Sequence, residues 1–443
     1  MNKTNVEIIS DLSEFLKDAK LDVKYRNKPT DFSRDRKLPF ERVVGFLINL
    51  PRKSLSLELD ELFSSLNLGI CYCSKSAFSQ ARYKLKHCFF EDWNKCLKSS
   101  YYTENEDRIK RWKGFIVMGI DGSTAHLFED ADGKIAEHFG KYCGAITARV
   151  MCAYDVLNKV SYLGKIAPIK VAENTIAKDW LNDFQADLPV FKKVLCLYDM
   201  KFIGFAFAYE HIVKGLDFVM RAEPDFNFPI HDFMRSDQKD IIIEWHPPKN
   251  AIKDLQEKGY KVDKETFIKV RLLKIPLKDG TIEVLVTTLI DQEKYPYEDF
   301  KPLYFKRWGT ETNFDYWKNK AQIENFSGHK VEAIYQDFHA SIFTANVHSI
   351  LLGECESELE QINEERIFDY QTNKNIGLGV LKGRILDLFL KPPQQATRTM
   401  DELHRLFLFH LEPVRPNRKL PRNKRIQHLE GKYVTMTNYR RAI

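Results

Sequence analysis

The sequence predicts an α/β protein: a mixed sheet flanked by helices, interrupted by a β-rich insertion and preceded by a layer of short helices. Two runs predict the sheet. Residues 115–120 and 194–198 are short, continuous and apolar, as strands buried on both faces are, and each leads into an aspartate, Asp121 or Asp199. Alternation of such runs with helical periodicity between 114 and 220 predicts the flanking helices. Two strand-like runs at 267–275 and 282–290, joined by a turn at Lys278, Asp279 and Gly280, read as a hairpin and mark the insertion.

Taken in order, residues 1–35 are mostly polar, with Leu12, Phe15, Leu16 and Ala19 at the spacing of one short helix. Pro39 suits the start of a helix over 40–50, because its missing N–H would have no partner there. Ser54 is placed to cap a helix reaching about Leu66, striped by Leu55, Leu59 and Leu62. Ser74 is placed to cap another over 75–86, with Phe78, Ala81 and Leu85 on one side and Lys75, Arg82 and Lys86 along its flank. Short helices ending in a basic one suit a DNA-binding module; the same pattern fits a plain helical cap on the main domain.

From Gly114, strands at 115–120, 146–156, 194–198 and 218–220 are interleaved with helices at 172–184, where Ile176, Trp180 and Leu181 recur, and at 203–213. The order breaks at about 223, where Pro224, Pro229, Pro247 and Pro248 open the insertion. Helical patterns resume at 304–318, 331–351 and 353–376. Gly377 and Gly379 predict a break, 380–390 a further helix, and Pro392 with Pro393 its end.

Length and composition bound the function. A chain of 443 residues with 44% hydrophobic content supports two to four folded domains. Its formal net charge of +6 permits a polyanionic partner without demanding one. The distribution says more: between 411 and 443 nine Lys or Arg face only Glu412 and Glu430, a local balance of +7 that points to a phosphate backbone and is shared by basic tails with no ligand. Eight cysteines are too few for a disulfide scaffold and fit a reducing compartment. Cys71, Cys73, His87 and Cys88 have a spacing poorly suited to structural zinc. No run reaches 18 consecutive apolar residues, so no membrane partner is expected, and the N-terminus lacks a secretory pattern.

The chemistry concentrates in three places. Asp121 and Asp199 follow comparable strands and so occupy one sheet rim. On a regular helix, Tyr304, Arg307, Glu311, Asp315 and Lys318 fall within an arc of about 80° over about 21 Å. That face offers two cations, two carboxylates and a phenol, and equally matches an ordinary solvated face. If Asp121, Asp199 and Glu311 meet, their mutual repulsion calls for a divalent cation, and hard oxygen ligands select Mg²⁺ or Mn²⁺. Two such ions could activate an attacking oxygen and stabilise a leaving one in phosphodiester cleavage. Aspartates after buried strands also serve as turn formers.

The spacing Tyr304-x2-Arg307-x3-Glu311-x6-Lys318 resembles the Y-x2-R-x3-E-x6-K signature of DDE transposases of the insertion-sequence 4 group, which includes the Tn5 transposase. Gly119-Ile120-Asp121-Gly122-Ser123-Thr124 and Leu197-Tyr198-Asp199 resemble the group's first two acidic motifs, and Arg34 to Phe40 and Ser74 to Arg82 resemble stretches that precede the catalytic domain. The resemblance extends over about 34–350.

It implies a ribonuclease H-like sheet, with an N-terminal helical DNA-binding module at 1–105, a catalytic core split into 106–222 and 297–391 by the insertion at 223–296, and a basic C-terminal region at 392–443. Asp121, Asp199 and Glu311 would be the catalytic residues and hold two Mg²⁺ or Mn²⁺ ions. Tyr304, Arg307 and Lys318 would grip DNA phosphates, joined by Lys201, Lys75 and Arg82. Trp245, the only tryptophan of the insertion, is the candidate for stacking an extruded base, and a packed core tryptophan is the alternative. The partners implied are double-stranded DNA, both terminal inverted repeats and target, and a second copy of the chain; the implied location is the cytoplasm, on the DNA of a bacterial nucleoid. One departure stands out: the group often continues the second acid as Asp-Arg-Gly, whereas here Asp199 is followed by Met200 and Lys201. Lys201 could replace the charge but not the fork of an arginine. A DNA-binding protein descended from a transposase and a nuclease or resolvase of the same fold are the alternative functions.

Overall fold

The computed structural model describes residues 3–415 apart from Asp35, Arg52, Ile70, Cys71, Tyr72, Glu104 and Lys278. The expected turn residue Lys278, the cysteine Cys71 and most of the basic tail, 416–443, lie outside the described residues.

Five helices come first: α1 (Asn5–Ala19), α2 (Phe40–Ile48), α3 (Leu55–Ser65), α4 (Lys75–Arg82) and α5 (Cys88–Thr103). Thr4 and Glu7 close a capping box on α1, and Ser74 accepts the Ala77 N–H at the start of α4. The sequence reading passed over α5. Its apolar residues were in phase all the same, for Phe89, Phe90, Trp93, Leu97 and Tyr101 are all buried.

The central region runs β1 (Ile116–His126), α6 (Lys134–Phe139), β2 (Lys141–Tyr142), β3 (Ala145–Asp155), β4 (Val160–Pro168), α7 (Glu173–Phe191), β5 (Val194–Tyr198), α8 (Phe205–Val213) and β6 (Asp217–Ala222). Next come α9 (Phe228–Arg235), β7 (Asp240–Trp245), α10 (Lys249–Glu257), β8 (Ile268–Pro276) and β9 (Ile282–Thr287). The predicted hairpin is β8–β9, and the segment 223–296 also carries two helices and a strand absent from the sequence reading. The C-terminal part comprises α11 (Phe300–Phe305), α12 (Trp308–Asp315), α13 (Val331–Gly353), α14 (Glu356–Glu364), β10 (Tyr370–Thr372), α15 (Lys374–Leu381), α16 (Ile385–Leu390), α17 (Pro393–Phe409) and β11 (Leu411–Pro413).

The large sheet is mixed, ordered β2-β3-β1-β5-β6-β9-β8-β7, with β4 also paired to β3. β1, β5 and β6 are parallel; β3 and β4 on one side and β9, β8 and β7 on the other are antiparallel to their neighbours. Strands β9, β8 and β7 therefore lengthen the sheet through β6. Side chains of β1 alternate between two cores. Ile116, Met118 and Ile120 join the core under α7 and α8, while Val117 and Phe115, the residue just before the strand, join Leu195, Leu197, Leu303 and Tyr304 on the other face. Burial on both faces is why this strand reads as an unbroken apolar run.

Two expectations at the C-terminal end are corrected. Gly377 and Gly379 lie inside α15, and the chain turns instead at Lys382 and Gly383, whose φ of +83° suits glycine. The run 353–376 is not a single helix, because Tyr370–Thr372 pairs with Leu411–Pro413 as a two-stranded ribbon. Pro392 and Pro393 end α16 as predicted, and Pro393 then opens α17 at a position where its missing N–H does no harm.

The N-terminal helices share a core with the sheet and with α13 and α16: Trp93 stacks on Phe343 at 3.8 Å and meets Phe389 edge-on. Arg82 fastens this layer, and the expectation of a phosphate contact there is corrected. Its side chain is 1% exposed, and its guanidinium donates to Gln336 Oε1 (2.7 Å), Ser327 Oγ (2.7 Å), the Ala333 carbonyl (2.8 Å) and Asp337 Oδ1 (2.9 Å). Removing one member of a buried pair strands the other, so Arg82→Ala is expected to cost about 3–5 kcal/mol in urea unfolding. A loss below about 0.5 kcal/mol would return Arg82 to the surface role expected from sequence.

Candidate active site

The candidate site lies at the C-terminal rim of β1, β5 and β6. Ile120 pairs with Tyr198 across the parallel strands, so Asp121 and Asp199 are the next residues along adjacent strands. β1 runs on along β3 past this point while β5 stops, which opens the rim beside Asp121.

Glu311 arrives from α12, pressed onto β1 two residues before Asp121. A Cβ on Gly119 would stand 2.2 Å from Thr310 Oγ1, so only glycine admits the helix at this depth. Residues 304–318 do not form one regular helix. Bonds from the N–H groups of Lys306, Arg307, Gly309 and Thr310 reach back three residues and tighten the turn between α11 and α12. Beyond α12, Tyr316–Lys320 widens into a π-turn closed by Ala321 N–H to Tyr316 O.

This geometry redistributes the expected polar face. Tyr304 is buried and its hydroxyl donates to the Tyr198 carbonyl at 3.1 Å, tying the helix to the residue before Asp199; burial pushes its phenol well above the ordinary range. The Lys318 ammonium donates to the Thr124 carbonyl at 2.6 Å. The Tyr304 hydroxyl is thus turned inward, and Lys318 is half-buried. Arg307, 4% exposed, stands between the carboxylates, with Nη1 3.4 Å from Asp121 Oδ2 and Nη2 3.1 Å from Glu311 Oε1. Burial by itself lowers the Arg307 pKa, and the neighbouring Tyr304, Asp199, Asp121 and Glu311 side chains more than reverse it. Burial raises the Asp121 carboxyl above its usual range; Asp199 and Glu311 add to this, against the Gly122 N–H and Arg307.

Thus Arg307 bridges Asp121 and Glu311, while Asp199, beside Asp121 across the parallel strands, is paired with Arg221. The three carboxylates do not form a ready-made metal cage: among the described residues no group of three or more His, Cys, Asp or Glu side chains is arranged to hold an ion. Lys201 and Lys75 are exposed, Lys201 one turn beyond Asp199 and Lys75 on the distant α4. Trp245 is 5% exposed and packs edge-on against Phe205 and Phe226, the core arrangement weighed for it.

Two rim residues escaped the sequence reading. Arg221 on β6 stands beside Asp199, and Glu283 on β9 beside Arg221. A signal existed, because the predicted strand 218–220 ends in Arg221 as the other two end in Asp121 and Asp199.

The fold and rim define an α/β protein with converging acidic residues on a mixed sheet. The family model for the transposase DDE domain matches residues 112–347, more than half the chain, and the chain belongs to that family. Curated proteins offer no match. A solved structure described as the cryo-EM structure of piggyBac transposase synaptic complex with hairpin DNA aligns over 93% of this chain and 80% of that one, at 10% identity and a TM-score of 0.39. So distant a likeness carries no argument about the site.

Gly119→Ala tests the close approach of α12. It is expected to cost about 1–3 kcal/mol in equilibrium unfolding, as overpacking does, and Thr310→Ala in the same chain is expected to recover much of it.

Proposed function

We propose that this chain is a DNA transposase that cuts the ends of its element and joins the freed 3′-hydroxyl strand to target DNA. The single observation that carries the reading is the placement of Asp121 and Asp199 on neighbouring parallel strands with Glu311 drawn to them by Arg307, inside the region matched by the family. The antiparallel-then-parallel order β4-β3-β1-β5-β6 supports a ribonuclease H-like core, and the signature helix supports placement near the Tn5-like branch.

The donor set fits Mg²⁺ or Mn²⁺. All three candidate ligands are carboxylates, and Asp199 Oδ1 is buried with only the ion pair to Arg221 Nη2 at 3.0 Å and no hydrogen-bond partner among the described residues. Asp121, Asp199 and Glu311 would hold the ions. Two bound ions supply activation of the attacking oxygen and charge stabilisation of the leaving one. The chain's own residues do the positioning. Arg307 neutralises the acidic rim in the protein alone, and its planar fork can turn from carboxylate to a DNA phosphate of the same geometry. Tyr304 acts through the backbone at Tyr198, and Lys318 braces Thr124 three residues past Asp121. Exposed Lys201 and Lys75 are offered as backbone contacts, with the tail beyond 415 adding charge. The reading implies a dimer on paired DNA ends, acting on nucleoid DNA. Among the described residues no helix is long and apolar enough to cross a membrane.

A second reading, a transposase-derived DNA-binding protein without strand transfer, draws support from Arg307 occupying the centre of the carboxylates and from Met200 and Lys201 after Asp199. One experiment separates them. Duplexes carrying the terminal repeats that flank the gene, with Mg²⁺, are expected to be nicked at the repeat boundary and joined to a target plasmid. Glu311→Gln is expected to lower both steps by at least about 10³-fold while binding persists. Cleavage without joining would favour a nuclease or resolvase, and binding without either step the second reading.

A further inference from the structure

Arg221 faces two carboxylates, and it treats them unequally. Tyr198 pairs with Met220, so Asp199 and Arg221 are the next residues on their adjoining strands. Arg221 Nη1 donates to Glu283 Oε1 at 2.7 Å. Its Nη2 stands 3.0 Å from Asp199 Oδ1, but off the hydrogen-bonding direction, so that this oxygen is buried with no hydrogen-bond partner among the described residues. A guanidinium fork commonly closes on one carboxylate with two parallel bonds. Here the fork is divided, and the inserted strand takes the better bond. Register explains why. Arg221 pairs with Leu285 across β6 and β9, which makes Glu283 its diagonal neighbour on the same face, within reach of a long side chain.

We propose that Glu283 is a positioning residue: by engaging one arm of Arg221 from β9 it limits the guanidinium to a single arm on Asp199, so that a divalent cation binding Asp199 competes with one contact and not with a bidentate pair. The inference rests on the metal-dependent reading above and gives the inserted strands a task in it. Without Glu283, both arms of Arg221 are free to chelate Asp199, and a bidentate pair competes with the cation. Without Arg221, Asp199 loses its competitor and the rim gains an unbalanced carboxylate. The two substitutions therefore act on cation affinity in opposite directions. A merely structural pair would not, since breaking it from either side loosens the same contact.

The test is Mn²⁺ titration of the full-length, DNA-free protein, followed by electron paramagnetic resonance of the free ion. Glu283→Gln is expected to weaken binding about fivefold and Arg221→Gln to strengthen it by a similar factor, with Glu283→Asp retaining most of the wild-type affinity. Thermal unfolding of each variant identifies any that is not folded, and Arg221→Met then serves as the second neutral variant. If Glu283→Gln binds Mn²⁺ as the wild type does, or if both substitutions shift affinity the same way, the positioning role is overturned. If the wild type binds no Mn²⁺, or Asp199→Asn binds it unchanged, the metal reading fails first and takes the inference with it.

Discussion

Arg307 is the charge on which the rim depends. Carboxylates brought to one rim from neighbouring strands and a helix repel one another, and burial raises the cost. A single buried guanidinium, in contact with Asp121 and Glu311 and within the field of Asp199, lets the arrangement exist in the protein alone. Counting Glu283 and Arg221, four carboxylates face two guanidinium groups, which leaves a surplus of two negative charges at the rim. The two arginines thus offset part of the rim's negative charge in the protein alone.

The steric counterpart lies at Gly119. Carboxylates on strands are placed by register, but a carboxylate on a helix is placed by how near the helix can come. The missing side chain at Gly119 and the small Thr310 set that distance. Tyr304 supplies a second fixed point at Tyr198, so the helix is held over both strands that carry an aspartate.

Much of this was legible in the sequence. The buried strands declared themselves by unbroken apolar runs, because each face meets a separate core, and the hairpin β8–β9 by its alternation and turn. Apolar runs leading into aspartates, together with the motif spacing, singled out Asp121, Asp199 and Glu311 as candidates. What was illegible depended on tertiary choice. Helix α5 was overlooked although its phase was present, and Arg82 read as a surface cation because nothing local announces that four acceptors await it from 327–337. The placement of Tyr304 and Lys318 departs from the expected shared face for a related reason: an ideal helix predicts that face, and the real one changes pitch twice.

That change of pitch has an evolutionary side. The tight turn between α11 and α12 gains rotation and the wide turn at Tyr316–Lys320 gives it back, so Phe314 and Trp317 still reach the core while Lys318 reaches Thr124. The number of residues separating the arginine, the glutamate and the lysine is thus fixed by two compensating irregularities. A descendant that regularised only one of them would have to lose or gain a residue elsewhere in the segment to keep the acid and the lysine pointing where they do.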